Sequence, residues 1–212
     1  MIIAIDGPSA AGKSTIAKLL AEKLGIDYID TGAMYRALAL KAVRNGVDIE
    51  DREALAAFLA GTDIDVAGTE VLLDGEDVSG LIRTGEISMQ ASRISAIPSV
   101  REKLVAIQRG IGARKSVVMD GRDIGSNVFP GADFKFFITA APEVRAGRRL
   151  KEYEEKGESV PYDTVLADIV KRDWDDMNRP LNPLVQTEDA ILIVTDDLGI
   201  EEVLEKTINY LQ

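Results

Sequence analysis

Ile2-Ile3-Ala4-Ile5-Asp6-Gly7-Pro8-Ser9-Ala10-Ala11-Gly12-Lys13-Ser14-Thr15 opens the chain, and its reading decides the fold. Residues 2–5 are a short apolar run that ends near a glycine, the mark of a strand buried on both faces. From Lys13 onward, Ile16, Leu19, Leu20 and Leu24 recur at helical spacing, and Gly25 is a natural stop. Between strand and helix, Gly7, Pro8, Ser9, Ala10, Ala11, Gly12, Lys13 and Ser14 fit G-x-x-x-x-G-K-S, a phosphate-binding loop. The glycines let successive backbone N–H groups turn inward around a phosphate, and the helix points its positive end at the same place. Lys13 can then bridge phosphate oxygens, and the Ser14 hydroxyl can ligate Mg2+. A glycine-rich turn with an exposed lysine would not need a strand before it and a helix after it.

Moving outward, 212 residues with 46% hydrophobic content fill one ordinary domain with small appendages. A net charge of −11, from 36 acidic and 25 basic residues, argues against generic affinity for nucleic acid or acidic membranes. Phosphate recognition must be local, a small positive pocket within a negative protein. The chain has neither cysteine nor histidine, which excludes thiolate nucleophiles, Ser-His-Asp catalysis and the usual zinc ligands. No basic leader or membrane-length apolar run is found, so a cytoplasmic location and no membrane partner are expected.

The alternation of strand and helix continues with Asp27–Ile29, then helical patterns over 33–44 and 50–60. From Thr62 the texture changes to period two, broken at Ala67-Gly68 and Asp74-Gly75, which reads as an antiparallel hairpin inserted at about 62–85. Helical periodicity resumes from about Gly85 to Arg114, with a boundary at Pro98 and a second helix starting at Ser99. Residues 116–119, 134–138 and 191–195 suit inner strands, and 142–179 is mostly helical, interrupted by KGESVPYD. Strands separated by helices imply a parallel sheet with right-handed crossovers. A DxxG match at Asp77-Val78-Ser79-Gly80 falls in the hairpin, and no NKxD follows, so a GTPase reading is weak.

A phosphate loop identifies a donor, and the rest of the chain must supply the acceptor. Thr31 stands at an N-cap-like position with Arg36 one turn into the helix, a second anion site beside the loop. Val117-Val118-Met119 ends in Asp120-Gly121-Arg122-Asp123, and ligands of open α/β sheets bind beyond such strand ends. Asp120 is therefore expected to help hold the Mg2+ shell through water. Arg145, Arg148 and Arg149 at i, i+3 and i+4 share one helix face, as do Arg172, Asp176 and Arg179 at i, i+4 and i+7. Two arginine faces flanking the KGESVPYD turn read as a hinged flap over about 145–172, with guanidiniums able to fork onto phosphate oxygens.

The segments IDGPSAAGKST, DTGAMYRALAL, DGEDVSGLIRT, ASRISAIPSVR, MDGRDIGSNVFPGAD, RAGRRLKEYEEKG and RDWDDMNRPLNPL together resemble the bacterial cytidylate kinases, a family of nucleoside monophosphate kinases, essentially end to end. The resemblance implies a P-loop NTPase-type three-layer α/β/α fold with a hairpin-bearing monophosphate-side insertion and a helical lid. It implies transfer of the γ-phosphoryl group of ATP to CMP or dCMP, in pyrimidine nucleotide metabolism. By the same resemblance Ser92, Arg101 and Asp123 contact cytosine; Thr31, Arg36, Arg122 and Arg172 lie near the acceptor phosphate; Asp176 takes the ribose hydroxyls; and Arg179 stands near the transferring group. The donor side takes the loop through Thr15, with Arg148 and Arg149. A monomer acting on ATP and CMP or dCMP, without nucleic acid, is expected. An acceptor phosphate is already ionised near neutral pH, so no general base is required. Two other readings remain: a kinase for UMP or AMP, and a nucleotide-dependent switch that hydrolyses ATP without a small acceptor.

Overall fold

The apolar runs of the sequence gather into one parallel sheet whose carboxyl ends carry a row of acids. The computed structural model describes residues 1–67 and 69–211. In chain order the first half comprises β1 (Ile2–Asp6), α1 (Lys13–Leu24), β2 (Asp27–Asp30), α2 (Thr31–Asn45) and α3 (Arg52–Ala60). Then come β3 (Ile64–Ala67), β4 (Glu70–Leu73), β5 (Glu76–Asp77), α4 (Gly85–Ile94) and α5 (Pro98–Arg114). The second half comprises β6 (Val117–Gly121), β7 (Phe134–Thr139), α6 (Pro142–Glu155), α7 (Tyr162–Asn178), β8 (Ile191–Val194) and α8 (Ile200–Asn209).

The main sheet runs β2-β6-β1-β7-β8, with every pairing parallel. Alternate residues of its inner strands feed opposite cores, as a doubly covered sheet requires. Ala4, Ile29, Val117 and Met119 face Met34, Leu38, Val100 and Leu104 of α2 and α5. Ile3, Ile5, Val118, Phe136 and Ile138 face Ile16, Leu20 and Val203 of α1 and α8. The result is three layers, α/β/α. Register aligns Asp6 with Gly121 and Asp30 with Asp120, so the strand ends present their acids side by side.

The hairpin expected from Thr62 is a three-stranded antiparallel sheet, β3-β4-β5. Asp74 and Gly75 both have positive φ, 51° and 84°, and pair Leu73 with Glu76 across a two-residue turn. That turn adds β5. The other expected turn includes Gly68, which lies outside the described residues. The small sheet has no core of its own: Ile64, Val66, Val71 and Leu73 join the same apolar cluster as Ala4 and Met119.

Boundaries differ from the sequence reading where a cap decides them. Asp30, not Thr31, caps α2, its carboxylate accepting the Ala33 N–H at 2.9 Å. Thr31 is already helical, and its hydroxyl is thereby free for another partner. Pro98 is the first residue of α5 rather than a spacer before it. Helix α7 stops at Asn178, so Arg179 is extended (φ −62°, ψ 140°) instead of lying on the face of Arg172 and Asp176. Pro180 follows and excludes the helical conformation there. The helix α8 and a π-helical turn over Ile124–Val128 carry no clear signal in the sequence reading.

Candidate active site

Strand β1 delivers the chain into the loop through a close backbone passage. Gly7 has φ 146°, and a Cβ there would sit 1.9 Å from the carbonyl oxygen of Ile138, so β7 admits only glycine. The loop then closes on itself: the Lys13 Nζ donates to the Pro8 carbonyl at 2.7 Å. Ala10, at φ 59°, stands at the loop tip. Lys13 is buried, and burial, followed by the charge of Arg122, lowers its pKa to about 7. Thr15 is exposed on the first turn of α1.

Asp120 is where the loop meets the rest of the site. The Ser14 hydroxyl donates to its Oδ2 at 2.9 Å and the Tyr28 hydroxyl to its Oδ1 at 2.8 Å, while the Thr31 hydroxyl donates to its main-chain oxygen at 2.7 Å. Burial, then the neighbouring Asp30 carboxylate, raises the pKa of Asp120, with Lys13 opposing them. Burial raises the Tyr28 phenol as well, keeping it a donor. The Ser14 hydroxyl and the Asp120 carboxylate, adjacent at the loop, offer the hard oxygen donors that suit Mg2+. Among the described residues no cluster of three or more Asp, Glu, His or Cys forms an all-protein metal cage.

Beyond Asp120 the side chains are mostly paired guanidiniums and carboxylates. Asp123 is held by Arg101, by Arg179 Nη2 at 3.2 Å and by Asn127 Nδ2 at 3.0 Å. Arg101 also lies 5.8 Å from the Tyr35 ring centroid, and burial lifts the Tyr35 phenol to about 12. Arg122 Nε donates to Asp176 at 2.8 Å, which holds that carboxyl below its usual range against the opposing effect of burial. Arg36 donates to Asp30 at 2.9 Å. Arg172 is different: the Nε atoms of Arg36 and Arg101 are also unpartnered, but those guanidiniums pair through their other nitrogens, whereas Arg172 has no hydrogen-bonded partner among the described residues, and burial together with Arg122, Arg149 and Arg36 pushes it down to about 10 against the pull of Asp176. Like charges crowd there around an unfilled need for an anion.

The expected arginine face of α6 splits three ways. Arg145 turns inward to Ser9, Ala140 and Asp173; Arg148 donates to the Thr195 hydroxyl and carbonyl; Arg149 reaches the Ser9 hydroxyl at 3.3 Å and Glu152. Helical spacing places side chains on a face but does not choose their acceptors. Ser92 is half-buried on α4, one turn before the Ser95 carbonyl that accepts from Arg101. Asp77, the acid of the DxxG match, only closes a local turn onto Ser79.

Sequence reasoning missed several participants. Asp6 accepts the N–H groups of Ile124 and Gly125 at 2.8 and 2.7 Å and so fixes the turn that follows Asp123. Burial raises its pKa to about 6, outweighing those two hydrogen bonds. Tyr28 and Asn127 had no motif to mark them. The acid that ends β1 is a signal that a reader of the loop could have followed one residue upstream.

A loop built for a polyphosphate, joined through one carboxylate to a second cationic recess, is the arrangement of a kinase with a phosphorylated acceptor. A family model described as "Cytidylate kinase" matches residues 3–212. The chain belongs to the cytidylate kinase family. A curated cytidylate kinase of Caldanaerobacter subterraneus subsp. tengcongensis is 54% identical over 96% of this chain and 91% of that one. Another, from Caldicellulosiruptor saccharolyticus, is 53% identical over 97% and 93% of the two chains, and one from Clostridioides difficile 46% over 99% and 97%. Among solved structures, a shikimate kinase from Bacteroides thetaiotaomicron is matched over 100% of this chain and 98% of that one, with TM-score 0.53 and 15% identity. An uncharacterized protein from Eubacterium ventriosum is matched over 100% and 97%, with TM-score 0.55 and 16% identity. These two distant structures share the fold. No described helix is long and apolar enough to cross a membrane.

Proposed function

We propose that this cytidylate kinase family member transfers the γ-phosphoryl group of ATP to CMP and dCMP, with its two substrates seated on opposite sides of Asp120. Arg172 is the observation that carries the reading. Arg172 is half-buried, feels the charges of Arg122, Arg149 and Arg36 with only Asp176 opposing them, and has no hydrogen-bonded partner among the described residues, a setting that a multiply charged anion would relieve.

On the donor side, the loop amides from Gly7 to Gly12 and the Lys13 Nζ hold the β- and γ-phosphates, with Thr15, Arg148 and Arg149 around them. Lys13 leaves the Pro8 carbonyl for phosphate oxygens, and their charge restores its proton. Ser14 and Asp120 are the residues that would hold Mg2+, which when bound would supply positive charge against the phosphates. On the acceptor side Arg36, Arg122 and Arg172 take the phosphate of CMP, Thr31 lines the floor, and Asp176 takes ribose hydroxyls. An oxygen of that phosphate attacks the γ-phosphorus while the bond to the bridging β,γ-oxygen breaks, giving ADP and CDP. No proton has to be removed from the nucleophile, which suits a site without histidine or cysteine. Arg179 stands beside both the base and the transferring group.

Ser92, Arg101 and Asp123 read the base. The 4-amino group of cytosine donates to the Asp123 carboxylate, whereas uracil presents a carbonyl there, a mismatch of about 1 to 3 kcal/mol. Asp123 already carries two arginines, so the base exchanges partners with that cluster instead of finding a bare carboxylate. Helices α6 and α7, with the turn between them, act as a lid that keeps water from the γ-phosphate. The segment 62–85 braces the acceptor side, and the working unit is a single domain and a monomer.

The test is ADP release from ATP with CMP, dCMP, UMP and AMP in turn. CMP and dCMP should be turned over well above the others, and ATP alone should be stable. Equal turnover of UMP and CMP would remove the base-recognition argument, and ATP hydrolysis indifferent to CMP would point instead to a switch.

A further inference from the structure

We propose that Arg145 is a positioning residue that couples the phosphate loop to the lid helix α7, one guanidinium being held at once by the backbone of the loop and by Asp173. The inference rests on reading α6 and α7 as the lid.

The guanidinium is 2% exposed and disposed on three segments. Its Nε donates to the Ala140 carbonyl at 2.7 Å, just past the end of β7. Its Nη1 donates to the Ser9 carbonyl at 3.2 Å and to Asp173 Oδ1 at 2.9 Å, and its Nη2 donates to Asp173 Oδ2. A bond pair that served only to staple α6 to α7 would need Asp173 alone. Here Nη1 also reaches outside the helical pair to the Ser9 carbonyl within the phosphate loop, while Nε is anchored on the Ala140 carbonyl between β7 and α6. Only a planar fork reaches all three acceptors, which a lysine cannot do.

A second contact joins the same two parts. The small apolar cluster of the helical pair, Ala146, Val165 and Ile169, packs with Leu150, Tyr153 and Leu166, and it includes Ala10 of the loop tip. The helical pair is thus seated on consecutive loop residues, by charge at Ser9 and by contact at Ala10. One turn further along α6, Arg149 reaches the Ser9 hydroxyl. On the far side of the fork, Asp173 adjoins Arg172 and precedes Asp176 by three residues on α7. When a polyphosphate draws the loop amides inward, the Ser9–Ala10 peptide moves with them. The fork passes that movement to α7 and so to Arg172. Arg145 itself need not touch either substrate.

The chain has one tryptophan, Trp174, next to Asp173 and 65% exposed, which makes α7 self-reporting. Inorganic tripolyphosphate fills the loop without base, ribose or acceptor. With tripolyphosphate saturating by calorimetry, Trp174 emission and its quenching by acrylamide should change in the unmodified protein. In Arg145→Lys and in Asp173→Asn that change should shrink, with kcat for CMP falling about tenfold and the KM for CMP staying within about twofold. Tripolyphosphate binding that leaves Trp174 unchanged in the unmodified protein would overturn the proposal, whatever the variants do. So would folded variants, matched by circular dichroism, that keep the full Trp174 response. Because the tripolyphosphate measurement needs no acceptor, it stands apart from any failure to phosphorylate CMP.

Discussion

The two sides of the site are built from different materials. The donor side is main chain: one contiguous loop, shaped by a glycine that β7 will not let be anything else. The proposed acceptor side is side chain: Arg36, Arg101, Arg122, Arg172 and Arg179 come from α2, α5, the β6 end, α7 and the residue beyond it. A backbone site depends on conformation and fails when the path of the chain is altered. A side-chain site depends on charge balance, and single members can be removed from it with the fold intact.

The sharpest test of that contrast is Gly7→Ala. A Cβ at 1.9 Å from a backbone oxygen, at φ 146°, cannot be relieved by a side-chain rotation, so a loss of more than about 4 kcal/mol is expected. Thermal melting checks it: the variant should be insoluble or unfolded at growth temperature. Arg172→Met should do the opposite. Removal of a crowded, partly unpaired charge should leave the melting temperature unchanged or higher, while kcat falls about a hundredfold to a thousandfold. A variant that lost stability and activity together would show Arg172 to be structural.

Asp123→Asn probes the balance more finely. It keeps the shape between Arg101 and Arg179 but cannot accept equally from the cytosine amine, so the ratio of kcat/KM for CMP over UMP should fall about fivefold to a hundredfold. Replacement by alanine would strand two buried arginines and confuse the two effects. Lys13 gives a pH test of the donor side. Its folded value of about 7 lies below the usual 10.5, so between those values the unfolded chain binds the extra proton and the free protein gains stability as pH rises. Bound phosphates reverse this by restoring the charge. At pH 8.5 ATP binding should therefore take up close to one proton, measured by calorimetry in buffers of different ionisation enthalpy, and Lys13→Arg should abolish the uptake. At the lower limit, Arg44→Gln, which removes an exposed pair with Glu76, should change stability by less than about 0.5 kcal/mol and activity not at all.

The same division explains what could be read from the sequence. The loop is local, so its strand, glycines, lysine and helix announce themselves within fourteen residues. The parallel sheet was equally legible because a strand buried on both faces must be apolar throughout. The acceptor side was legible from local pattern only as candidate anion sites at Arg36, the Asp120–Asp123 corner and the arginines of the last long helix, and the role of each residue came from resemblance, since nothing local says that Arg179 will reach Asp123 across 56 positions. Helical spacing grouped Arg145, Arg148 and Arg149 correctly on one helix but could not foresee three different acceptors. The cap of α2 was assigned one residue late because Asp30 and Thr31 are both good caps, and tertiary structure claimed the threonine hydroxyl for Asp120. Asp6 escaped notice because its partners are amides 118 and 119 positions away.

The small sheet β3-β4-β5 shares its apolar interior with the main sheet, while among the described residues α6 and α7 rest on a cluster of three buried apolar side chains. Amide exchange in the resting molecule should accordingly reveal two tiers. Protons of β3 and β4 should await global unfolding, and those of α7 should leave early through openings that spare everything else.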